Sequence, residues 1–236
     1  MSIISTNMPE CDLCPFRSHL ADFGGSEAGA NELIALRKDA RTVAKKTDLY
    51  REGDPWEHLY ILNKGWAFSY RVTNEGHRQI FNVYLPGDPI NVASLRQDSA
   101  PTSVQALTDL VVCTFDRNEM DAFIHSDIHR TRHLEHYWIQ SLWAMKNRIL
   151  DLGRRTSTQR IAGFILGLEQ RLRERGLASE GTFEFPLRYR HVADILGLTP
   201  VHVNRIISSL REQGIIELEH RTLSVRRLAD LSAIAR

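Results

Sequence analysis

The sequence predicts an α+β chain: a small β-roll, then a long helix, then a C-terminal winged helix-turn-helix. Three observations carry this. Short β-rich runs between about Thr42 and Phe115 are separated by turn residues, with Gly53, Gly65, Gly76 and Gly87 falling 11 or 12 residues apart. Helical periodicity then runs to about Leu152. Finally, Gly197 separates two short amphipathic segments near the C-terminus. Even turn spacing between short strands is the mark of an antiparallel sandwich or barrel, and the other two patterns are helical.

The 236 residues suffice for two domains. A 42% apolar and 25% charged composition is that of a globular protein. No apolar run nears the roughly 18 residues of a membrane span, and the N-terminus lacks a secretory pattern, so a cytoplasmic protein with no membrane partner is expected. Three cysteines, an odd number, argue against a disulfide framework. Charge is uneven. Residues 153–236 carry fourteen arginines, no lysine and nine carboxylates, a balance of +5, while the remainder carries −4. A basic C-terminal part suits phosphate contact, although a solvated helical surface has the same composition.

Residues 1–28 read as a polar tail containing Cys11-Asp12-Leu13-Cys14. Residues 29–125 read as the β-roll, opened by a short helix around Glu32 to Asp39. The runs Leu59–Leu62, Trp66–Val72 and Gln79–Tyr84 are its strands. A roll with a pocket fits; a pocketless sandwich is the alternative. Residues 126–153 read as one long helix capped by Ser126 or Asp127. Trp138, Leu142, Met145, Ile149 and Leu152 follow at spacings of 4, 3, 4 and 3. That is an a/d seam, by which a helix packs on a second copy of itself, so a homodimer is expected. Gly153 is read as the interruption, and Ser157 or Thr158 as the cap of the next helix, about Gln159 to Arg175. That helix sets Ile161, Phe164, Ile165, Leu168 and Leu172 on one face.

Residues 154–236 read as the winged helix-turn-helix. Arg190–Leu196 is a short amphipathic helix ended by Gly197. Thr199 caps a second helix with Pro200 in its first turn. Val203, Ile206, Ile207 and Leu210 bury one face, leaving His202, Asn204, Arg205, Ser208 and Arg211 to project. Ile215–Glu219 and Thr222–Val225 form a hairpin about His220-Arg221, the wing. A helix entering the major groove meets base edges with its first residues. Arg205 can fork onto guanine, Asn204 can match adenine, and the Thr199 hydroxyl and His202 ring can touch phosphate. Double-stranded DNA is the expected partner. No nucleophile, Walker or zinc-protease motif is present, so no enzyme is expected. The alternative is an effector-binding or protein-interaction module whose helix-turn-helix does not read DNA.

The run Ala193-Asp194-Ile195-Leu196-Gly197-Leu198-Thr199-Pro200-Val201-His202-Val203-Asn204-Arg205, in its order behind a Gly-turned roll and a long helix, strongly resembles the Crp/Fnr regulators. The resemblance covers nearly the whole chain, on the Fnr/FixK-like side of the family. It implies a cyclic-nucleotide-binding-like sensory roll, a homodimer on a palindromic operator, control by a signal at the roll or by abundance, and RNA polymerase as partner if the chain is an activator. Family members carry a Glu early in the reading helix where this chain has Val201; the guanine-reading Arg matches Arg205. An apolar contact from Val201 to a thymine methyl is the corresponding expectation. Cyclic AMP is not expected, because Gly87–Val92 and Ala100–Ser103 lack the Arg that faces its phosphate.

Two candidate sensors stand out. Cys11, Cys14 and Cys113 resemble three ligands of the 4Fe-4S cluster of Fnr-type oxygen sensors. The fourth cysteine is missing, with His19 or Asp22 as stand-ins; zinc or a redox dithiol at Cys11 and Cys14 is a weaker option, and a tail Cys-x-x-Cys beside a buried Cys113 is the bland reading. His125, His129, His133 and His136, at spacings of 4, 4 and 3, line one side of the long helix. Such a column suits a metal, a haem ligand or a pH-sensitive surface, or is a solvated face.

Overall fold

The computed structural model describes residues 27–236 apart from 91, 93, 94 and 96, and divides them into two compact units. The first comprises residues up to Gly76 together with Phe81–Trp143; the second is His77–Ile80 with Ala144–Arg236.

In the first unit α1 (Glu27–Ala35) leads directly into β1 (Arg37–Val43). The expected helix at 32–39 therefore ends earlier, and the β region starts before Thr42. The strand was hidden because only Ala40 of Arg37–Val43 is buried, so no apolar alternation marks it. Next come β2 (Asp48–Tyr50), β3 (His58–Lys64), β4 (Ala67–Val72), β5 (Arg78–Tyr84), β6 (Pro89–Ile90), β7 (Ser103–Ala106) and β8 (Leu110–Asp116). They form two four-stranded sheets, β1-β8-β3-β6 and β2-β7-β4-β5. Gly65 holds the β3–β4 turn at φ +91°, and an added Cβ would sit 2.3 Å from the Asp109 carbonyl oxygen. Only glycine fits there.

Strand β8 is buried on both faces, as its near-continuous apolar run Leu110–Phe115 requires. Leu110 and Val112 join Leu62, Ala67, Val104 and Ala106 inside the roll. Tyr50, Trp56 and Tyr60 fill that interior, with ring centroids 5.0 to 6.3 Å apart. Cys113 and Phe115 face the other way, into a core made with Leu33, Leu59, Ile61, Met120, Phe123, Ile124 and Leu134.

The helical stretch after β8 is broken in two. Asp116 caps α2 (Arg117–His125), accepting from the Asn118 and Glu119 amides at 2.9 and 3.0 Å. The long helix α3 (Ile128–Arg154) starts under Asp127, which accepts from the His129 and Arg130 amides at 2.7 and 3.2 Å. It does not stop at Gly153 but runs to Arg154, since one glycine costs a helix only about 1 kcal/mol. The units divide within this helix, between Trp143 and Ala144.

In the second unit α4 (Ser157–Glu174) is capped by Thr156, one residue before the expected Ser157 or Thr158. Thr156 Oγ1 accepts from the Gln159 amide at 3.3 Å while Gln159 Oε1 accepts from the Thr156 amide at 2.9 Å, a reciprocal capping box. Strands β9 (Ala178–Ser179) and β10 (Thr182–Glu184) precede the two helices of the motif, α5 (Tyr189–Leu196) and α6 (Pro200–Glu212). Then β11 (Ile216–Glu219) and β12 (Thr222–Val225) make the wing, and α7 (Leu228–Ala235) packs back on α4. The wing is part of a four-stranded sheet, β11-β12-β10-β9. Ile161, Ile165, Leu168 and Leu172 of α4, Val192 and Ile195 of α5, Val203, Ile207 and Leu210 of α6, and Leu231 of α7 are buried.

Candidate nucleic-acid interface

The turn between α5 and α6 is built from local chemistry. Helix α5 buries His191, Val192, Ala193, Ile195 and Leu196. The Arg188 amide donates to His191 Nδ1 at 3.1 Å, which places the ring proton of the neutral imidazole on Nε2. Gly197 ends the helix in the left-handed conformation, φ +64°, and the Leu198 amide returns to the Ala193 carbonyl at 3.1 Å. Thr199 is extended, and its Oγ1 accepts from the His202 amide at 3.2 Å, with Pro200 in the first turn as expected.

Helix α6 buries Val203, Ile206, Ile207 and Leu210. Its opposite face carries Val201, Asn204 and Arg205, all exposed, with Val201 80% accessible. Ser208 and His202 are half-buried. An Arg205 Nη2 lies 3.5 Å from His202 Nε2, so the two side chains share one patch at the start of the helix. A helix N-terminus adds partial positive charge there. Of the six predicted reading residues, Thr199, Val201, His202, Asn204 and Arg205 cluster on the first turns, and Ser208 lies one turn further along.

The wing pairs Ile216 with Val225 and Glu219 with Thr222, leaving His220 and Arg221 at its tip. Both have positive φ, 44° and 70°, the form that a two-residue hairpin turn demands and that Asn-Gly usually supplies.

Sequence periodicity missed the residues that hold this motif from outside. Arg148 Nη1, on α3, donates to the Ile195 carbonyl at 2.9 Å. Arg160 Nη1, on α4, donates to the Leu196 carbonyl at 3.2 Å. Within the second unit Arg78 gives Nε and Nη2 to the Asp194 carboxylate at 2.8 and 2.7 Å.

The predicted seam is exposed in the single chain: Trp138 39%, Leu142 47%, Met145 60%, Ile149 70% and Leu152 41%. The one buried residue of α3 is Leu134, four residues before Trp138 and on the same side of the helix.

The candidate sensors fare differently. Cys113 is buried in an apolar core; Cys11 and Cys14, with His19 and Asp22, lie outside the described residues. The expected histidine column is broken, because His125 ends α2 while His129, His133 and His136 lie on α3. His125 Nε2 pairs with Asp121 at 3.4 Å and His136 Nε2 with Gln140 at 3.3 Å. Among the described residues no three His, Cys, Asp or Glu stand close enough to hold a metal ion. No described helix is long and apolar enough to cross a membrane.

Two family models match the chain, a cyclic nucleotide-binding domain over residues 40–127 and a Crp-like helix-turn-helix domain over 159–234. The transcriptional activator protein Anr of Pseudomonas aeruginosa is 24% identical over 226 residues, 96% of this chain and 91% of the relative. The transcriptional activator protein FnrA of Stutzerimonas stutzeri is 25% identical over 198 residues, 84% of this chain and 81% of the relative. Among solved structures, FixK2 from Bradyrhizobium japonicum superposes with a TM-score of 0.77 at 28% identity, covering 84% of this chain and 96% of that one. A β-roll, a long helix with an exposed apolar stripe and a Crp-like helix-turn-helix occur here in one order, and the chain belongs to the Crp/Fnr family of transcription regulators, on its Fnr/FixK-like branch.

Proposed function

We propose that this chain is a sequence-specific transcription regulator that reads a palindromic operator as a homodimer. The observation that carries the reading is the patch at the start of α6, where Val201, Asn204 and Arg205 are exposed above a fully apolar buried face. Arg205 forks onto guanine, Asn204 onto adenine and Val201 meets a thymine methyl; Thr199, His202 and Ser208 face the sugar-phosphate edge. The exposed stripe Trp138, Leu142, Met145, Ile149 and Leu152 is the dimer seam. Activator names among the relatives favour RNA polymerase as a further partner, and the protein works in the cytoplasm.

The test is a binding titration against a palindrome and a scrambled duplex at two salt concentrations. Arg205→Ala loses specific affinity, by about 10- to 100-fold, and remains dimeric. Unchanged operator affinity in that variant overturns the reading helix. Absence of sequence-selective, salt-sensitive binding in the parent protein favours instead the module that does not read DNA.

The signal reaches the protein through the sensory unit or through its abundance. A cyclic nucleotide does not suit a roll interior filled by Tyr50, Trp56 and Tyr60. A 4Fe-4S cluster wants four thiolates, and the chain has three cysteines, of which Cys113 sits in an apolar core. The thiol set alone does not fit the cluster. Protein purified without oxygen decides this: a broad visible band that bleaches in air, with iron and sulfide present, assigns Cys11, Cys14 and Cys113 to a cluster completed by a non-thiol ligand, and a sharp haem band assigns the histidines.

A further inference from the structure

The last turn of any α-helix leaves carbonyl oxygens without amide partners. In α5 the Gly197 and Leu198 amides take the Ala193 carbonyl. The carbonyls of Ile195 and Leu196 instead receive guanidinium groups from two other helices. Arg148 Nη1 reaches Ile195 O at 2.9 Å, joined by Gln79 Nε2 at 3.4 Å. Arg160 Nη1 reaches Leu196 O at 3.2 Å. Each of the three Arg160 guanidinium nitrogens donates to a carbonyl: its Nη2 also holds Leu152 O at 2.8 Å and its Nε holds Arg155 O at 3.1 Å. One planar side chain thus bridges the C-terminal end of α3 to the C-terminal end of α5, where the helix dipoles favour a cation. Arg148 is desolvated enough that burial draws its pKa down, against the nearby Asp151. Leu152 Cδ2 rests 3.1 Å from the point where a Cβ on Gly197 would stand, so the side chain that ends the seam lies on the turn of the helix-turn-helix.

These contacts are aimed at backbone, not at carboxylates, so their geometry fixes a position rather than a charge balance. A guanidinium fork holds two acceptors in a set plane, which a lysine ammonium does not. We propose that Arg148 and Arg160 are positioning residues for DNA reading: together they lock the turn of the reading head to the last turns of α3, and thereby set the angle at which two copies present α6 to two half-sites. The proposal rests on the two-copy, palindrome-reading function above.

The experiment compares Arg148→Gln, Arg160→Gln and Arg160→Lys with the parent full-length protein. Each is titrated against duplexes whose half-sites lie about one helical turn apart, then one and two base pairs closer or wider, and against a single half-site. The expected result is a loss of about tenfold or more at the best spacing and a flattened dependence on spacing. Affinity for the single half-site and the salt slope stay unchanged, because no phosphate contact is lost. Arg160→Lys restores less than half of the loss in log affinity. Hydrogen exchange supplies an arm that does not depend on DNA: the Leu198 amide exchanges faster in both Gln variants. A variant with the parent's spacing profile, or one that weakens equally on the single half-site, overturns the positioning role. A parent protein indifferent to spacing overturns the two-copy reading itself, and unchanged Leu198 exchange then rules against the lock as well.

Discussion

Replacing Ile149 by Glu should separate the two copies. Ile149 is the most exposed residue of the α3 stripe, at 70%, and stands one heptad from Leu142. Full burial of such a side chain is worth about 1.5–3 kcal/mol. Covering the exposed share on both copies therefore contributes roughly 2–4 kcal/mol to the dimer. Glutamate forfeits that share and brings two like charges together; at about 6 Å and an effective dielectric of about 20 their repulsion adds roughly 3 kcal/mol. At 1.4 kcal/mol per tenfold, the dissociation constant rises at least about 30-fold and up to about 10⁵-fold, the lower figure applying if the carboxylates swing out to water. Glutamate is a good helix former, so helix content by circular dichroism stays put. The assay is sedimentation velocity over a range of concentrations, with Asn147→Glu, exposed on α3 but off the stripe, as the control. An Ile149→Glu protein that sediments as the parent dimer refutes the seam, and equal dissociation by Asn147→Glu shows that charge on α3 in general, not the seam, is responsible.

Two further outcomes follow from residues already described. Val201→Glu places a carboxylate where the family carries one, and a binding competition over the four bases at that step should move preference from thymine toward a cytosine amine by about 1–3 kcal/mol; an unchanged ranking removes Val201 from the interface. The Asp116 carboxyl is held below the usual carboxylate range, first by the Glu119 amide it accepts from. The stability it contributes is present above the ordinary carboxylate pKa of about 4 and is lost as pH falls through its lowered folded value. Melting temperatures measured down the acid limb should fall less steeply in Asp116→Asn than in the parent; equal slopes remove this cap from the acid response.

Much of the molecule was legible because its patterns are periodic. Glycines at even spacing marked the turns of the roll, the 4-3-4-3 apolar spacing marked the stripe on α3, and Gly197-Leu198-Thr199-Pro200 carried both the stop of one helix and the cap of the next. What escaped has no period to show. Strand β1 offers one buried residue, Ala40, among charged neighbours, and reads as polar surface. The break between α2 and α3 and the start of α4 were placed by caps, where Asp, Ser and Thr stand side by side and only geometry chooses between them. Gly153 read as an end because glycine usually is one, but Thr156 makes the capping box that starts the next helix. Arg148 and Arg160 belong to no sequence pattern; their carbonyl partners lie 47 and 36 residues away, and such contacts leave no trace in local spacing.

The wing tip has a consequence for how this protein can be improved or damaged. His220 and Arg221 hold left-handed backbone without the asparagine and glycine that adopt it cheaply, at roughly 1–2 kcal/mol per residue. Local folding preference and tip chemistry therefore pull in opposite directions at these two positions. Selection for heat resistance alone would drift toward a neutral, relaxed tip, shedding an imidazole and a cation from the wing, so at this hairpin a gain in robustness is a poor proxy for a gain in function.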